Sequence, residues 1–261
     1  FDRKRKSFDN KRSSKSFVKE VKVEETKNEE IVELEDVIST INLENTKAKV
    51  IIKTGEKFRI IKNSEFDRHF EVIISNNEAT INFDKHQNYD FLGILNEPTI
   101  VITIEMPKAK NVNIKLDRGQ IAFDNVNVNE SNVSLLSGSI ALKDVKAESF
   151  TFKTEDAELN SNSCIYNKVN LDIVHGRFAS SSDKYGEAII NNGSGDVAIK
   201  DNEFTSLKLK NVSGTVVVQK SKIDMYDYES NASILTMSEI ESKFFNITAI
   251  NASQFTLTDL K

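Results

Sequence analysis

The chain has no tryptophan, only two prolines, one cysteine and nine glycines among its 261 residues. So few glycines and prolines argue against a compact α/β enzyme, which spends both on tight turns and phosphate loops. A single cysteine excludes an internal disulfide framework; it fits a reducing compartment or a cysteine-poor bacterial surface protein. No apolar run approaches the roughly 18–20 residues of a membrane span, and no signal-peptide core is present. The formal charge of −5 argues against a general nucleic-acid binder. The first residue is Phe1 rather than Met, so the chain reads as an excised piece, with any membrane attachment in a region missing upstream.

What is present divides into two parts. Residues 1–30 combine a basic run, "DRKRKSFDNKRSSK" (2–15), with a mixed acidic one, "EVKVEETKNEE" (20–30). Neither carries enough apolar periodicity to bury much, and the stretch reads as a charged linker or stalk, partly disordered. From Ile31 onward, period-2 alternation takes over and residues 31–261 read as one domain. "STINLENTKAKVIIKTG" (39–55), "FEVIISNNEATINF" (70–83) and "TIVITIEM" (99–106) are predicted strands within an irregular portion spanning 31–110.

Regular repeats fill 111–261. A small residue, any residue, then an apolar one recurs as Gly119-Gln120-Ile121, Gly138-Ser139-Ile140, Ala157-Glu158-Leu159, Gly176-Arg177-Phe178, Gly195-Asp196-Val197 and Gly214-Thr215-Val216. The interval is nineteen residues each time. Ala232-Ser233-Ile234 and Ser253-Gln254-Phe255 read as the continuation, and Ala48-Lys49-Val50 and Ala79-Thr80-Ile81 as looser upstream versions. Alternating apolar residues flank each small one, for example Val112, Ile114 and Leu116 before Gly119, and Ile121 and Phe123 after it. Turn-prone residues follow at a constant offset: Asn125, Asp144, Ser163, Ser182 and Asp201.

A fixed period of this length is the signature of a solenoid. Two strands and two corners per nineteen residues predict one coil of a right-handed parallel β-helix, about ten coils in all, each burying its apolar side chains only against its neighbours. Gly119, Gly138, Gly176, Gly195 and Gly214 are the predicted structural corners, where the chain turns with φ > 0. An antiparallel sandwich is the competing fold, but it has no need of one identical interval.

No chemistry-bearing cluster emerges. His69, His86 and His175 are far apart, with no His-x-x-x-His or Cys-x-x-Cys, so no metal and no cofactor is expected. Cys164 occupies the place of Val126 and Val145 in their coils and reads as a small buried filler. "NNGSGD" (191–196) lacks the Lys-Ser/Thr ending of a phosphate loop and lies on the repeat. Asp117, Arg118, Asp156, Glu158 and Arg177 lie near stacked corners, the arrangement a polysaccharide lyase would need, but solvated charges are the ordinary outer face of a solenoid. Tyr226, Tyr228, Phe244 and Phe245 form the one aromatic cluster that reads as a possible binding surface.

Three segments carry a resemblance: "INLENTKAKVIIKTGEKFRI" (41–60), "EATINF" (78–83) and repeated Gly-x-Ile-x-Leu-x-x-Val coils such as Gly138 to Val145. Over residues 31–261 the chain resembles the bacterial "putative adhesin" family, a β-strand-repeat domain of unknown function in cell-envelope proteins. The resemblance implies a right-handed β-helix, exposure on the outer side of the cell envelope, and attachment to an upstream membrane span or module. It also implies, for some members, a part in envelope-stress responses. It carries no catalytic residues to transfer. The basic leader departs from the pattern: a span directly before it would favour a cytoplasmic domain, which is the alternative location.

The expected function is therefore a non-enzymatic envelope protein whose rigid solenoid binds a protein, a peptide or a cell-wall polymer. The alternative is a β-helical scaffold that self-associates end to end through its last segment, "QFTLTDLK" (254–261). A polysaccharide-active enzyme ranks third.

Overall fold

The computed structural model describes residues 23–26, 29–63, 70–83, 100–251 and 253–261. Among them there is no helix, and all strands join one fourteen-stranded sheet system. Most of the charged leader lies outside the described residues. Its last part, however, supplies β1 (Val23–Thr26) and the start of β2 (Glu29–Glu33), which pair antiparallel with each other.

The irregular portion is built on β3 (Thr40–Thr54). Strands β4 (Arg59–Asn63) and β7 (Ile100–Met106) extend its second half, β7 parallel to β3 and β4 antiparallel to β7 and to β2. β5 (Phe70–Ser75) and β6 (Glu78–Phe83) form a hairpin, and β6 runs parallel to the first residues of β3. Asn76 and Asn77 at the hairpin tip both have positive φ, the conformation a two-residue turn demands and asparagine tolerates best after glycine. Ala48 pairs with Gly119, as the repeat requires, but Ala79 pairs with Ile41 and so belongs to the opposite arm from Ala48. Both sit in locally similar Ala-x-apolar stretches; only the strand each one pairs with separates them.

The regular portion consists of β8 (Lys110–Asp124), β9 (Asn127–Lys143), β10 (Lys146–Asn162), β11 (Ile165–Ser181), β12 (Lys184–Lys200), β13 (Glu203–Ala249) and β14 (Gln254–Leu260). Each pairs parallel with the next, and from β8 to the start of β13 the register is nineteen residues: Gly119 with Gly138, Ala157 with Gly176, Gly195 with Gly214. This is the β-solenoid. Among the described residues, eight non-glycine residues of positive φ mark its turns, at Asn125, Asp144, Ser163, Ser182, Asp201, Lys220, Glu239 and Asp259. At about 4.8 Å per coil these eight turns span roughly 35–40 Å, and β3 and β7 continue the parallel stack beyond β8.

A coil has three arms rather than two. Between β10 and β11 the ladder runs over Lys146–Ala147, Ser149–Thr154 and Asp156–Asn162, skipping Glu148 and Glu155. Buried positions alternate within each arm, and the alternation slips where two outward residues stand together, at Glu148–Ser149, Glu155–Asp156 and Asn162–Ser163. The first of those slips passes for an ordinary polar position in a one-dimensional reading, whereas the second directly precedes the predicted small-residue corner at Ala157. The third is the corner where a non-glycine residue, Ser163, has positive φ.

The spacing near the C-terminus also differs from the sequence reading. The positive-φ corners step from Lys220 to Glu239 and then to Asp259, intervals of nineteen and twenty. Leu235 pairs with Phe255, so Ser233, not Ala232, is the corner partner of Ser253. Ser233 and Leu235 are buried and Ile234 is 47% exposed, which inverts the assignment made from Ala232-Ser233-Ile234.

The core is one continuous column. Rows of stacked side chains run along it, such as Ile121, Ile140, Leu159, Phe178, Val197 and Val216. An aromatic row, Tyr166, Tyr185 and Phe204, stacks coil on coil with ring centroids 5.2 and 4.4 Å apart. Each side chain's neighbours are the residues one coil away, so burial is shared and no coil is stable alone.

Candidate interaction surface

Positions that share a place in the coil become neighbours along the rod, so the outer faces are arrays of repeated rungs. On the second arm, the outward residues of the first coils form a shallow groove of about 460 Å³. Its floor includes Thr80, Asn42, Asn113, Asn132 and Thr151, and a second row holds Asn82, Glu44, Lys115, Ser134 and Lys153. The amides are chained: Asn113 Nδ2 donates to Asn42 Oδ1 at 2.8 Å, and Asn132 Nδ2 to Asn113 Oδ1 at 3.0 Å. Asn42 Nδ2 donates in turn to Glu78 at 3.2 Å. Lys115 reaches Glu44 at 2.9 Å, and that hydrogen bond, with the carboxylate's charge, raises the lysine's pKa. Lys153 has no ion pair among the described residues.

Other faces carry charge rungs across neighbouring coils: Lys184–Glu203 at 3.0 Å, Lys210–Glu229 at 2.8 Å and Lys243–Asp224 at 2.9 Å. Such exposed pairs are individually worth well under about 1 kcal/mol. In each pair the two charges offset one another on these faces.

The sequence-predicted corners all have positive φ, from 106° at Gly214 to 155° at Gly119. At Gly138 a Cβ would stand 2.0 Å from the carbonyl oxygen of Gly119, so the backbones approach too closely for any side chain in that conformation. Ala157 shares the row but not the positive φ, so its Cβ is accommodated.

The predicted aromatic cluster divides. Tyr226 and Tyr228 are buried core residues, with ring centroids 6.2 Å apart, whereas Phe244 is 70% exposed and Phe245 38%. Phe245 covers Tyr226 with a centroid distance of 5.3 Å, and Phe255 meets the edge of Tyr228 at 6.5 Å. The last coil also exposes Ile250, Leu257 and Leu260. Phe255, Leu257 and Leu260 pair with the buried Leu235, Met237 and Ile240, so they stand on core rows with no coil beyond them among the described residues.

The charged corner residues are separated into rungs. Glu158 pairs with Arg177 and Arg177 with Asp196, while Asp117 and Arg118 lie further along the rod. A second rung aligns Asp156, His175 and Ser194, with His175 Nδ1 2.5 Å from Ser194 Oγ. No cluster of three or more metal-ligating side chains occurs among the described residues; His69 and His86 lie outside them.

Sequence reasoning missed a polar row inside the core. Val126, Val145, Cys164, Asp183, Asn202 and Ser221 follow the positive-φ corners at nineteen-residue intervals. From Cys164 on, each side chain accepts the backbone N–H of its counterpart one coil earlier. Cys164 Sγ accepts from Val145 at 3.4 Å, Asp183 Oδ1 from Cys164 at 2.7 Å, Asn202 Oδ1 from Asp183 at 2.8 Å and Ser221 Oγ from Asn202 at 3.2 Å. Asp183 also accepts from Ser180 at 2.7 Å and Tyr185 at 3.0 Å. Burial raises the pKa of Asp183 and likewise that of the Cys164 thiol, in each case against the hydrogen bonds they receive. A buried thiol of raised pKa is an unreactive one. The signal was present in the sequence as a column of polar residues on the repeat, but it was indistinguishable from turn chemistry.

No helix among the described residues is long and apolar enough to cross a membrane. Solved structures of similar fold include a "putative adhesin" from Parabacteroides distasonis, with a TM-score of 0.64 and 10% identity over 88% of this chain and 96% of that one. Another, a "putative lipid binding protein" from the same organism, has a TM-score of 0.53 and 12% identity over 88% of this chain and 98% of that one. At such identities the likeness shows the fold. Among curated proteins, no sequence matches this one. The model of the family described as Toastrack DUF4097 matches residues 38–251, the β3 platform and nearly the whole solenoid, and the chain belongs to that family.

Proposed function

We propose that this protein is a non-enzymatic binding module, displayed on the outer side of a cell envelope, that uses the solenoid as a rigid recognition surface. The observation that carries the reading is the unbroken parallel ladder, which sets outward side chains in straight rows across many coils. Such surfaces suit extended partners, because binding costs little ordering entropy. The name of the Parabacteroides distasonis neighbour, "putative adhesin", supports the same reading. Protease shaving of intact cells, followed with an antibody to this domain, tests it. Loss of the antigen before lysis is the expected result, and protection until lysis would sink the reading.

A second reading, self-association, has its own observation: the core-row residues Phe255, Leu257 and Leu260 exposed along β14. A second copy laid tail to tail would cover them. Among the described residues, the strands at the other end of the stack, β1, β2, β4 and β5, pair antiparallel. Sedimentation equilibrium of the wild type beside Leu257→Lys tests this. A dimer lost in the variant is expected; a wild-type monomer at all concentrations excludes it.

A further inference from the structure

We infer that the groove over the second arm is a binding site for a linear, neutral, hydroxyl-rich polysaccharide; this deepens the proposed binding function and rests on it. In this groove two outward rows of hydrogen-bonding side chains share a concave floor: Asn42, Asn113 and Asn132 beside Lys115, Ser134 and Lys153.

Three features select the ligand. The first is orientation. The Asn113→Asn42 and Asn132→Asn113 bonds hold the amides in fixed rotamers, each spending one N–H on its neighbour and keeping the other for a ligand. A sugar hydroxyl is both donor and acceptor, so it matches a row of groups that are themselves both. The rungs repeat at the strand spacing of about 4.8 Å, comparable to the length of one sugar ring in an extended chain.

The second is charge. Of the charged side chains that line the groove, Glu44 holds Lys115 in an ion pair and Lys153 is the remaining cation, while Glu78, the acceptor for Asn42, stands outside the lining. One lysine beyond the ion pair is too little charge to select an anionic polymer, and a nucleic acid would find no row of free cations.

The third is the nature of the apolar surface. The side chains of Leu43, Ile114 and Val133 are buried beneath the floor, so the carbon exposed to a ligand comes from Thr80 and Thr151 methyls and the stems of Lys115 and Lys153. That suits the C–H faces of sugar rings. It offers none of the deep apolar pockets in which a peptide anchors an aromatic or aliphatic side chain.

The test is calorimetric titration of the full chain with a neutral β-linked glucose hexamer. A galacturonate hexamer serves as the anionic comparison, and Asn113→Ala and Asn132→Ala as variants. Both substituted side chains lie on the outer surface, and thermal melts of the variants confirm that the fold is kept. The glucose oligomer is expected to bind with an affinity that is the same in low and high salt, and each variant is expected to weaken it at least tenfold. Absence of binding by the neutral oligomer overturns the inference, as does binding that both variants leave unchanged or a preference for galacturonate that salt abolishes. Because the titration uses purified protein, its failure removes the ligand and leaves the location measured by shaving untouched.

Discussion

The Asp183 carboxylate accepts the backbone N–H of Cys164, one coil away, at 2.7 Å. That N–H lies at a corner of the coil, and a side chain stands in for the carbonyl that an ordinary ladder would supply. Asp183 is 1% exposed, and burial raises its pKa above 3.8 although Cys164, Ser180 and Tyr185 all donate to it. A raised folded-state value means that the folded protein holds the proton more tightly than the unfolded chain. The stability this group contributes is full below pH 3.8 and is lost as pH rises through the folded-state value. Asp183→Asn keeps an oxygen for Cys164 and removes the titration. The stability of the variant relative to wild type should rise across that interval and then level off. Parallel urea-unfolding free energies for the two proteins from pH 3.5 to 7 would contradict this assignment.

Glu105 behaves in the opposite sense. Burial pushes its pKa up, but the hydrogen bonds and charges of Arg59 and Lys53 outweigh it, and the net shift is downward from 4.5. Arg59 Nε donates to Glu105 Oε2 at 2.8 Å, and Lys53 lies 3.2 Å from Oε1. The stabilisation is present above pH 4.5 and is lost as pH falls through the folded-state value. Glu105→Gln is expected to cost about 2 kcal/mol at neutral pH, because two cations lose their partner at a site only partly open to water. The gap between variant and wild type should close in acid. A gap that persists unchanged at pH 3 would show that the loss is one of packing.

Gly138 and Ala157 occupy the same row with different backbones. Gly138→Ala would place a methyl 2.0 Å from the Gly119 carbonyl oxygen at φ +134°, and is expected to destabilise the protein by about 3 kcal/mol or more. Ala157→Gly has no clash to relieve and is expected to cost about 0.5–1 kcal/mol through the unfolded chain. Equal melting temperatures for the two variants would show that the corner conformation is not enforced.

Lys220 has φ 49° at a corner where Asn125, Asp144 and Asp201 have φ between 46° and 54°. A lysine gains nothing from that conformation, whereas asparagine visits it readily. Its pairing with Glu239, at 4.0 Å between exposed side chains, adds little. Lys220→Asn is expected to stabilise the protein by about 0.5–1 kcal/mol, read as a rise in melting temperature. A fall would mean that the lysine makes a contribution its contacts do not reveal.

The architecture was legible because a solenoid writes its period into the chain. The nineteen-residue interval, the alternating apolar rows around Gly138 or Gly195, and the turn residues Asn125, Asp144, Ser163, Ser182 and Asp201 are all local signals, and every one of those turn residues has positive φ. The sequence alone therefore determined that parallel coils stack and which residues turn. What it could not determine is whatever depends on the coil above or below. The third arm, the exchange of Ser233 for Ala232 as the corner, and the pairing of Ala79 with Ile41 are matters of register between strands. The division of Tyr226 from Phe244 and the polar core row through Asp183 follow from the same cause. In this fold a side chain's environment is made by residues about nineteen positions away, so inside and outside, paired and unpaired, were settled only when the coils were stacked.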